Sequence, residues 1–165
     1  MTQDLITGLV VSHLGKGIAV EVGDEILLCQ TLRKLDTVVV GDQVLLSISS
    51  PGQGRIERIL PRRSVLQRPS RGDQIRAVAA NIDTIFVVFA AEPECDFLLI
   101  DQYLAICENC NIDAALVFNK VDLPHTDTVE QNLSHYQSLG YRLFKVSAHQ
   151  GLGLDALTQA LQGQI

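Results

Sequence analysis

The sequence predicts an N-terminal five-stranded β-barrel of the OB type, followed by an incomplete parallel α/β sheet. Up to about residue 60, short apolar segments alternate with glycine-containing turns and no helical pattern of normal length occurs, which is typical of a small barrel. After about residue 80, apolar strands alternate with helical patterns, which implies parallel strands joined by right-handed crossovers. A small SH3-like barrel is the alternative for the first part.

The charged residues also divide the chain into two parts. The 165 residues carry a net charge of −6, but residues 1–71 hold nine Lys/Arg and seven Asp/Glu, whereas residues 72–165 hold four and twelve. A slightly basic part joined to a strongly acidic part suggests domains with different partners. We therefore expect a barrel with an arginine-rich linker over residues 1–71 and the partial α/β domain over residues 72–165.

Five segments carry the barrel prediction, because each alternates apolar and polar residues between turn signals. They are residues 9–11, 17–22, 25–30, 43–48 and 55–60. Gly23 and Asp24 form a two-residue hairpin signal, and residues 51–54 supply a second turn. The composition of residues 61–73 is typical of a linker.

Basic residues of the first part are candidates for RNA contact. Two lie in the loop after the third strand and six more fall between residues 55 and 71: Arg33, Lys34, Arg55, Arg58, Arg62, Arg63, Arg68 and Arg71. Guanidinium groups suit bidentate phosphate contacts, although a solvated surface with a linker is the alternative. No Phe, Tyr or Trp occurs in residues 1–71, so bases cannot stack on aromatic rings there. This part would therefore bind RNA through phosphates and shape.

Three strands and three helices are predicted after the linker. The strands are expected at residues 82–90, 114–118 and 142–146, and the helices at about 97–111, 127–139 and 154–161. Asp127 and Glu130 have the spacing of a capping box, and Gly140 and Gly163 suit helix C-termini.

Polar residues follow the strand at residues 114–118 directly, in the pattern Asn119-Lys120-x-Asp122. Ligands of open α/β sheets bind beyond the carboxyl ends of the strands. The carboxylate of Asp122 can accept the N1–H and the N2 amino group of guanine together, whereas adenine has no such donor pair and would leave the carboxylate unpaired. Asn119 reaches the base or bridges loops, and the stem of Lys120 can lie over the ring. A polar strand-to-helix turn is the alternative.

The next strand ends in a matching signal. Ser147 and Ala148 follow residues 142–146, and a backbone N–H of this pair is placed to meet guanine O6. In contrast, the Gly-x-x-x-x-Gly-Lys-Ser/Thr loop that cradles phosphates and places magnesium does not occur in the sequence. The chain therefore carries residues that read the base without those that hold the phosphates.

Cysteine and histidine residues do not suggest a metal site. Cys107 and Cys110 form a Cys-x-x-Cys pattern without a second pair or a nearby histidine. The pattern lies in a predicted helix with Leu99, Tyr103 and Ile106 on the same face, which favours small buried thiols over zinc or redox chemistry. The four histidines show no metal spacing and are expected on the surface or in loops.

The order of these features resembles the N-terminal portion of one known family. A barrel, an arginine-rich linker, the segment 80–83, the segment 118–123 and the segment 146–148 occur in this order in the circularly permuted GTPases that act in maturation of the small ribosomal subunit, the RsgA/YjeQ family. The resemblance covers all 165 residues and roughly half of the family's usual chain. It implies an incomplete P-loop-GTPase-type sheet in circularly permuted order, with the guanine motifs ahead of the phosphate loop.

By this resemblance the whole protein is a GTPase that binds GTP or GDP and acts on the 30S small subunit with its 16S rRNA. Asn119, Lys120, Asp122, Ser147 and Ala148 match the guanine-specificity motifs. The resemblance places the phosphate loop, Mg²⁺ and a structural Zn²⁺ in a part that would follow residue 165, so no catalytic or metal residue is expected here. The alternative is a non-enzymatic rRNA-binding module with a degenerate nucleotide fold.

Three further expectations concern the chain itself. Without a phosphate loop it should bind nucleotide weakly at best and show no GTPase activity alone. The sequence shows no signal peptide and no apolar run of about 20 residues, so we expect a cytoplasmic location without membrane contact. An incomplete sheet leaves a strand edge unpaired, and such an edge promotes self-association.

Overall fold

The computed structural model describes residues 5–31, 35–69 and 75–165, which belong to two compact units that divide between Ile82 and Asp83. The first unit contains seven of the described strands and the second contains three strands and three helices. This division lies later in the chain than the expected one after residue 71.

The first unit is built around the predicted barrel. Its strands are β1 (Ile6–Leu14), β2 (Gly17–Val22), β3 (Glu25–Thr31), β4 (Gln43–Ser50) and β5 (Gln53–Ile59). They close in the order β1-β2-β3-β5-β4, with β4 antiparallel to β1 and β5 parallel to β3. Alternate side chains point inward and fill the barrel with aliphatic residues, among them Val10, Val20, Leu27, Val44, Leu46 and Ile56.

The segment predicted as a linker contains regular structure instead. Strand β6 (Val65–Pro69) pairs antiparallel with β7 (Ile75–Ala80), so a hairpin follows the barrel. The arginines and prolines of this segment are typical of a loop, but Pro69 ends its strand, where a missing N–H costs little. The prediction of a linker at residues 61–73 is therefore wrong for residues 65–69.

A buried ion pair joins the end of the barrel to the segment before β4. Arg62 donates from Nε to Asp42 Oδ1 at 2.7 Å and from Nη2 to Asp42 Oδ2 at 2.8 Å. The same Nη2 donates to the carbonyl of Thr37 at 2.8 Å, and the N–H of Val39 donates to Asp42 Oδ2 at 2.8 Å. The side chain of Asp42 is 0% exposed. Hydrogen bonding to Asp42 raises the pKa of Arg62, and the same contacts link the segment after β5 to the segment before β4.

Asn81 fastens the hairpin to the barrel. Its Nδ2 donates to the carbonyl of Gly41 at 2.8 Å, and its Oδ1 accepts from the N–H of Arg63 at 2.8 Å. The approach is close enough that a Cβ on Gly41 would lie 1.9 Å from the carbonyl oxygen of Ala80. Gly41 also has φ +86°, so this position requires glycine for two reasons.

The second unit is a three-stranded parallel sheet with helical connections, as predicted. Its elements are β8 (Thr84–Ala90), α1 (Phe97–Cys110), β9 (Asp113–Asn119), α2 (Asp127–Ser138), β10 (Arg142–Lys145) and α3 (Leu154–Leu161). The sheet order is β10-β9-β8, so β9 is central and carries four consecutive buried residues from Ala115 to Phe118. Asp96 and Thr126 cap α1 and α2, so the cap of α2 lies one residue before the predicted Asp127.

The buried face of α1 differs from the predicted one. Ile100, Leu104 and Cys107 are buried, whereas Leu99 and Tyr103 are 46% and 47% exposed. Both stripes have helical spacing and lie one residue apart, so the sequence pattern could not choose between them. The exposed stripe lies beside β8, whose Val88 is also exposed.

β8 has one strand neighbour among the described strands, and its other edge is only partly paired. At its start, the N–H of Asp83 donates to the carbonyl of Ile165 at 3.0 Å, and the N–H of Ile165 donates to Asp83 Oδ2 at 3.1 Å. Self-association through this edge stays a prediction. Within residues 5–31, 35–69 and 75–165, no helix is long and apolar enough to cross a membrane.

We expect the substitution Arg62→Ala to destabilise the barrel by about 3 kcal/mol, because it leaves the buried carboxylate of Asp42 without its partner. The measurement is urea unfolding followed by NMR signals of barrel core residues such as Val10 and Val44. The control is Arg58→Ala, which removes an exposed guanidinium and should change stability by less than about 0.5 kcal/mol. Equal unfolding midpoints for the two variants would contradict the structural role of Arg62.

Candidate functional site

The candidate site lies where β9 and β10 end side by side. Lys145, the last residue of β10, is paired with Phe118 of β9, so the loops that follow the two strands start at the same edge of the sheet. Backbone hydrogen bonds continue the contact: the N–H of Val146 donates to Phe118 at 2.9 Å, and the N–H of Val121 donates to Val146 at 3.2 Å. The two predicted guanine motifs are therefore brought together.

Asn119 links the two loops through its side chain. Its Oδ1 accepts from the N–H of Lys120 at 2.8 Å and from the N–H of Ala148 at 3.1 Å. The second contact joins residues 29 positions apart in the chain. It also shows that the Ala148 N–H, one of the two donors expected for guanine O6, is directed at Asn119 Oδ1, so a base bound there must share or replace this contact.

Lys120 adopts a backbone conformation that turns the chain out of the strand. Its φ is +61°, in the left-handed region that non-glycine residues seldom occupy. Its Nζ donates to the carbonyl of Glu92, in the loop between β8 and α1, at 2.7 Å. The end of the side chain is therefore held by a third loop.

Asp122 carries an oxygen suited to a ligand. Its Oδ1 is buried and has no hydrogen-bond partner among the described residues. A hydrogen bond from the Ser147 hydroxyl lowers the pKa of Asp122, with smaller contributions from its own backbone, His149 and Lys120. The carboxylate is therefore ionised at neutral pH and has one acceptor atom without a donor, which is costly unless a donor is supplied.

Ser147 is completely buried and positions the second loop as well as Asp122. Its Oγ accepts from the N–H of Gln150 at 3.1 Å, and its backbone exchanges two hydrogen bonds with Leu152 at 3.0 and 3.1 Å. This closes a tight turn that keeps the serine hydroxyl beneath Asp122. Chemically, the site offers a pair of carboxylate oxygens, an amide side chain and a backbone N–H, which is a donor and acceptor set that fits guanine.

The predicted RNA-contact residues fall into different environments. Arg33, Lys34 and Arg71 lie outside the described residues. Arg55 pairs with Glu57 at 2.7 Å, Arg62 is held by Asp42, and Arg63 contacts the carbonyl of Asn81. Arg58 and Arg68 are exposed.

One exposed arginine of the first unit was not among the predicted RNA-contact residues. Arg76 is exposed and lies directly opposite Arg68 in the β6–β7 hairpin. Neither arginine forms an ion pair within the part of the chain that the structure describes. Arg76 lies beside Arg68 only because β6 pairs with β7. That pairing was not predicted, so the sequence did not indicate Arg76 as a candidate.

The thiols and acidic groups do not form a metal centre in the described residues, where no group of three or more His, Cys, Asp or Glu side chains is arranged to hold an ion. Burial raises the pKa values of the Cys29 and Cys107 thiols. Both residues are buried. For the Cys-x-x-Cys pattern, the prediction of small buried thiols is confirmed at Cys107, whereas Cys110 is half-buried.

Comparison with known proteins agrees with this architecture. The model of the RsgA GTPase family matches residues 59–165. The small ribosomal subunit biogenesis GTPase RsgA of Ectopseudomonas mendocina (strain ymp) is 40% identical over 167 residues, covering 96% of this chain and 49% of the relative. The RsgA of Proteus mirabilis (strain HI4320) is 39% identical, with 96% and 48% coverage. The chain thus spans about half the length of the curated relatives it matches.

Two solved structures have the same fold. The crystal structure of YjeQ from Thermotoga maritima superposes with a TM-score of 0.80 at 29% identity, covering 98% of this chain and 58% of that chain. The crystal structure of YloQ, a circularly permuted GTPase, gives a TM-score of 0.76 at 22% identity with the same coverage. This second likeness concerns the fold alone.

The closed barrel and the parallel sheet with its helices define a class of protein that shares its fold with the solved YjeQ structure. Within this class, the chain belongs to the RsgA GTPase family.

We expect Ser147→Ala to raise the pKa of Asp122 toward its ordinary value of 3.8, because the hydroxyl is the main group that stabilises the ionised form. The wild-type carboxylate should then stay ionised to lower pH than the variant. The measurement is a carboxyl ¹³C NMR titration of both proteins. A pKa of Asp122 that does not change would show that Ser147 does not support the carboxylate.

Proposed function

We propose that this chain is the barrel and guanine-reading half of a small ribosomal subunit biogenesis GTPase. The observation that carries the proposal is the ionised carboxylate of Asp122, which Ser147 supports at the end of β9 beside the Asn119–Ala148 link. The names of the 40% and 39% identical relatives support the biological role, and the chain covers about half of their length.

The site has the groups to distinguish guanine from other bases. Asp122 would accept from guanine N1–H and the N2 amino group with its carboxylate. The Ala148 N–H would face O6, and the stem of Lys120 would cover the ring. Adenine would leave the carboxylate unpaired and place an amino group against the Ala148 N–H, so rejection would be strong.

Phosphate handling and hydrolysis are assigned to other parts of the whole protein. The sequence contains no Gly-x-x-x-x-Gly-Lys-Ser/Thr loop, and the described residues contain no metal-binding group. Bound Mg²⁺ would neutralise the charge on the phosphates during transfer. The 165-residue chain by itself therefore contributes base selection, and we propose that it neither hydrolyses GTP nor binds GDP tightly.

We expect Asp122→Asn to exchange the base preference of the chain from guanine to xanthine, because xanthine carries an oxygen where guanine carries the N2 amine. The measurement is equilibrium binding of GDP and XDP to both proteins. Guanine preference should fall at least tenfold, since a site built for a hydrogen bond loses about that much when a partner is mismatched.

Asp127→Asn is the matched control, because it makes the same chemical change at an exposed position in the first turn of α2. This control should keep the preference for GDP. An Asp122→Asn protein that still prefers GDP over XDP would overturn the assignment of Asp122.

We further propose that the barrel unit contacts 16S rRNA of the 30S subunit through the hairpin arginines. Arg68 and Arg76 lie opposite each other on β6 and β7, and like charges in this position repel each other. A phosphate between two exposed guanidinium groups removes that repulsion and is held by bidentate contacts. Arg62 is excluded from this role because Asp42 and Thr37 occupy its guanidinium.

Salt dependence tests the hairpin contact. Each phosphate contact contributes about 0.7–0.9 to the slope of log affinity against log salt concentration, so Arg68→Ala and Arg76→Ala should each lower the slope by about this amount. The measurement is co-sedimentation with isolated 30S subunits over a salt series. Arg142→Ala removes one positive charge from the acidic unit and should leave the slope unchanged. Equal slopes for all four proteins would show that the hairpin does not bind the subunit.

A further inference from the structure

One carboxylate contacts both of the segments that carry the candidate guanine site. Glu130 Oε1 lies 2.7 Å from Nε2 of His125 and 3.0 Å from Nζ of Lys145, and Glu130 Oε2 lies 2.8 Å from the same Nζ. We call the three side chains of His125, Glu130 and Lys145 the clasp. The sequence suggested only a capping role for Glu130 and a surface or loop position for His125.

The clasp joins the two loops through side chains that lie outside the predicted guanine motifs. His125 follows Asp122 by three residues in the first loop, and Lys145 ends β10 two residues before Ser147. Glu130 lies in the first turn of α2 and reaches both. The Asn119–Ala148 hydrogen bond connects the same two loops at the site itself. The spacing between Asp122 and Ala148 is therefore set by two connections.

His125 is fixed on several sides. Its Nδ1 lies 3.3 Å from the carbonyl oxygen of Leu123, and its Nε2 lies 2.7 Å from Glu130 Oε1. The ring packs edge-on against Phe118, with centroids 5.3 Å apart. The loop after Asp122 is thereby anchored both to the sheet and to α2.

The clasp affects the relative position of the two loops more than it affects the stability of the fold. The hydrogen bond from Lys145 and, after it, that from His125 lower the pKa of Glu130, so its carboxylate is ionised at neutral pH. The side chains of Lys145 and Glu130 are 45% and 44% exposed, and ion pairs in such positions contribute little to folding stability. Removing the clasp should therefore leave the fold intact and alter the relative placement of the loops.

We propose that Glu130 is a positioning residue that sets the distance between the Asp122 loop and the Ala148 loop, so that both can contact one guanine. The inference rests on the proposed guanine-reading function. It assigns base selectivity to a residue that does not touch the base, acting through His125 on one side and Lys145 on the other.

The test compares Glu130→Gln with Asp127→Asn, which removes one negative charge from an exposed position in the same helical turn. Solvent-exchange NMR reports the Ala148 N–H, and titration with guanosine and adenosine reports base preference without requiring a phosphate site. In Glu130→Gln both should change, with faster Ala148 exchange and lower guanosine preference by a factor of about two to thirty, the range of coupling through such networks. Lys145→Gln should act in the same direction.

The outcomes separate this inference from the proposed function. If wild type prefers guanosine and Glu130→Gln keeps both that preference and the Ala148 exchange rate, the positioning role is overturned. If wild type shows no preference while Ala148 exchange still accelerates in Glu130→Gln alone, the clasp is supported as a loop connector and guanine reading is overturned. Equal effects of Glu130→Gln and Asp127→Asn would reduce the role of Glu130 to its charge on the helix, which also contradicts the inference.

Discussion

The parallel pairing of β9 with β10 is the constraint on which the candidate site depends. Because Lys145 aligns with Phe118, the two loops leave the sheet at one edge, and the contacts between these two loops follow from that alignment. The Asn119 amide then bridges the loops, Ser147 supports Asp122, and the backbone of Val121 bonds to Val146. A slip of the register by one residue would turn the side chains of β10 to the opposite face and separate Ser147 from Asp122.

Much of the fold could be predicted from local patterns, and the exceptions share one physical cause. Apolar runs and turn residues indicated the barrel strands and the strand–helix alternation, and the Asn119–Asp122 motif indicated the site. The buried face of α1 and the roles of Arg62 and Glu130 depend on partners distant in the chain. Arg62 meets Asp42 across 20 positions and Glu130 meets Lys145 across 15. An arginine in a polar segment is expected to be exposed to solvent. Whether it is instead buried in an ion pair depends on the residue that it contacts.

The arginines of the first unit therefore form two groups, those held by contacts within the fold and those exposed to solvent. Arg62 compensates the buried carboxylate of Asp42 beside Gly41, whose tight contact with Ala80 leaves no space for a side chain. Arg68 and Arg76 instead lie exposed on neighbouring strands, where their mutual repulsion favours an anionic partner. The same residue type thus stabilises one end of the hairpin segment and remains free for binding at the other, which explains why counting arginines could not locate the contact surface.

We propose that the loops that follow β9 and β10 form a surface that selects guanine. This selection does not require the phosphate-binding part of the protein. The most direct measurement is an NMR titration of the ¹⁵N-labelled 165-residue chain with guanosine, with adenosine as the reference. We expect the NMR signals of the Lys120, Asp122 and Ala148 amides to shift with guanosine and not with adenosine, while the signals of the barrel residues stay unchanged. Equal shifts with both nucleosides, or shifts located away from these two loops, would contradict it.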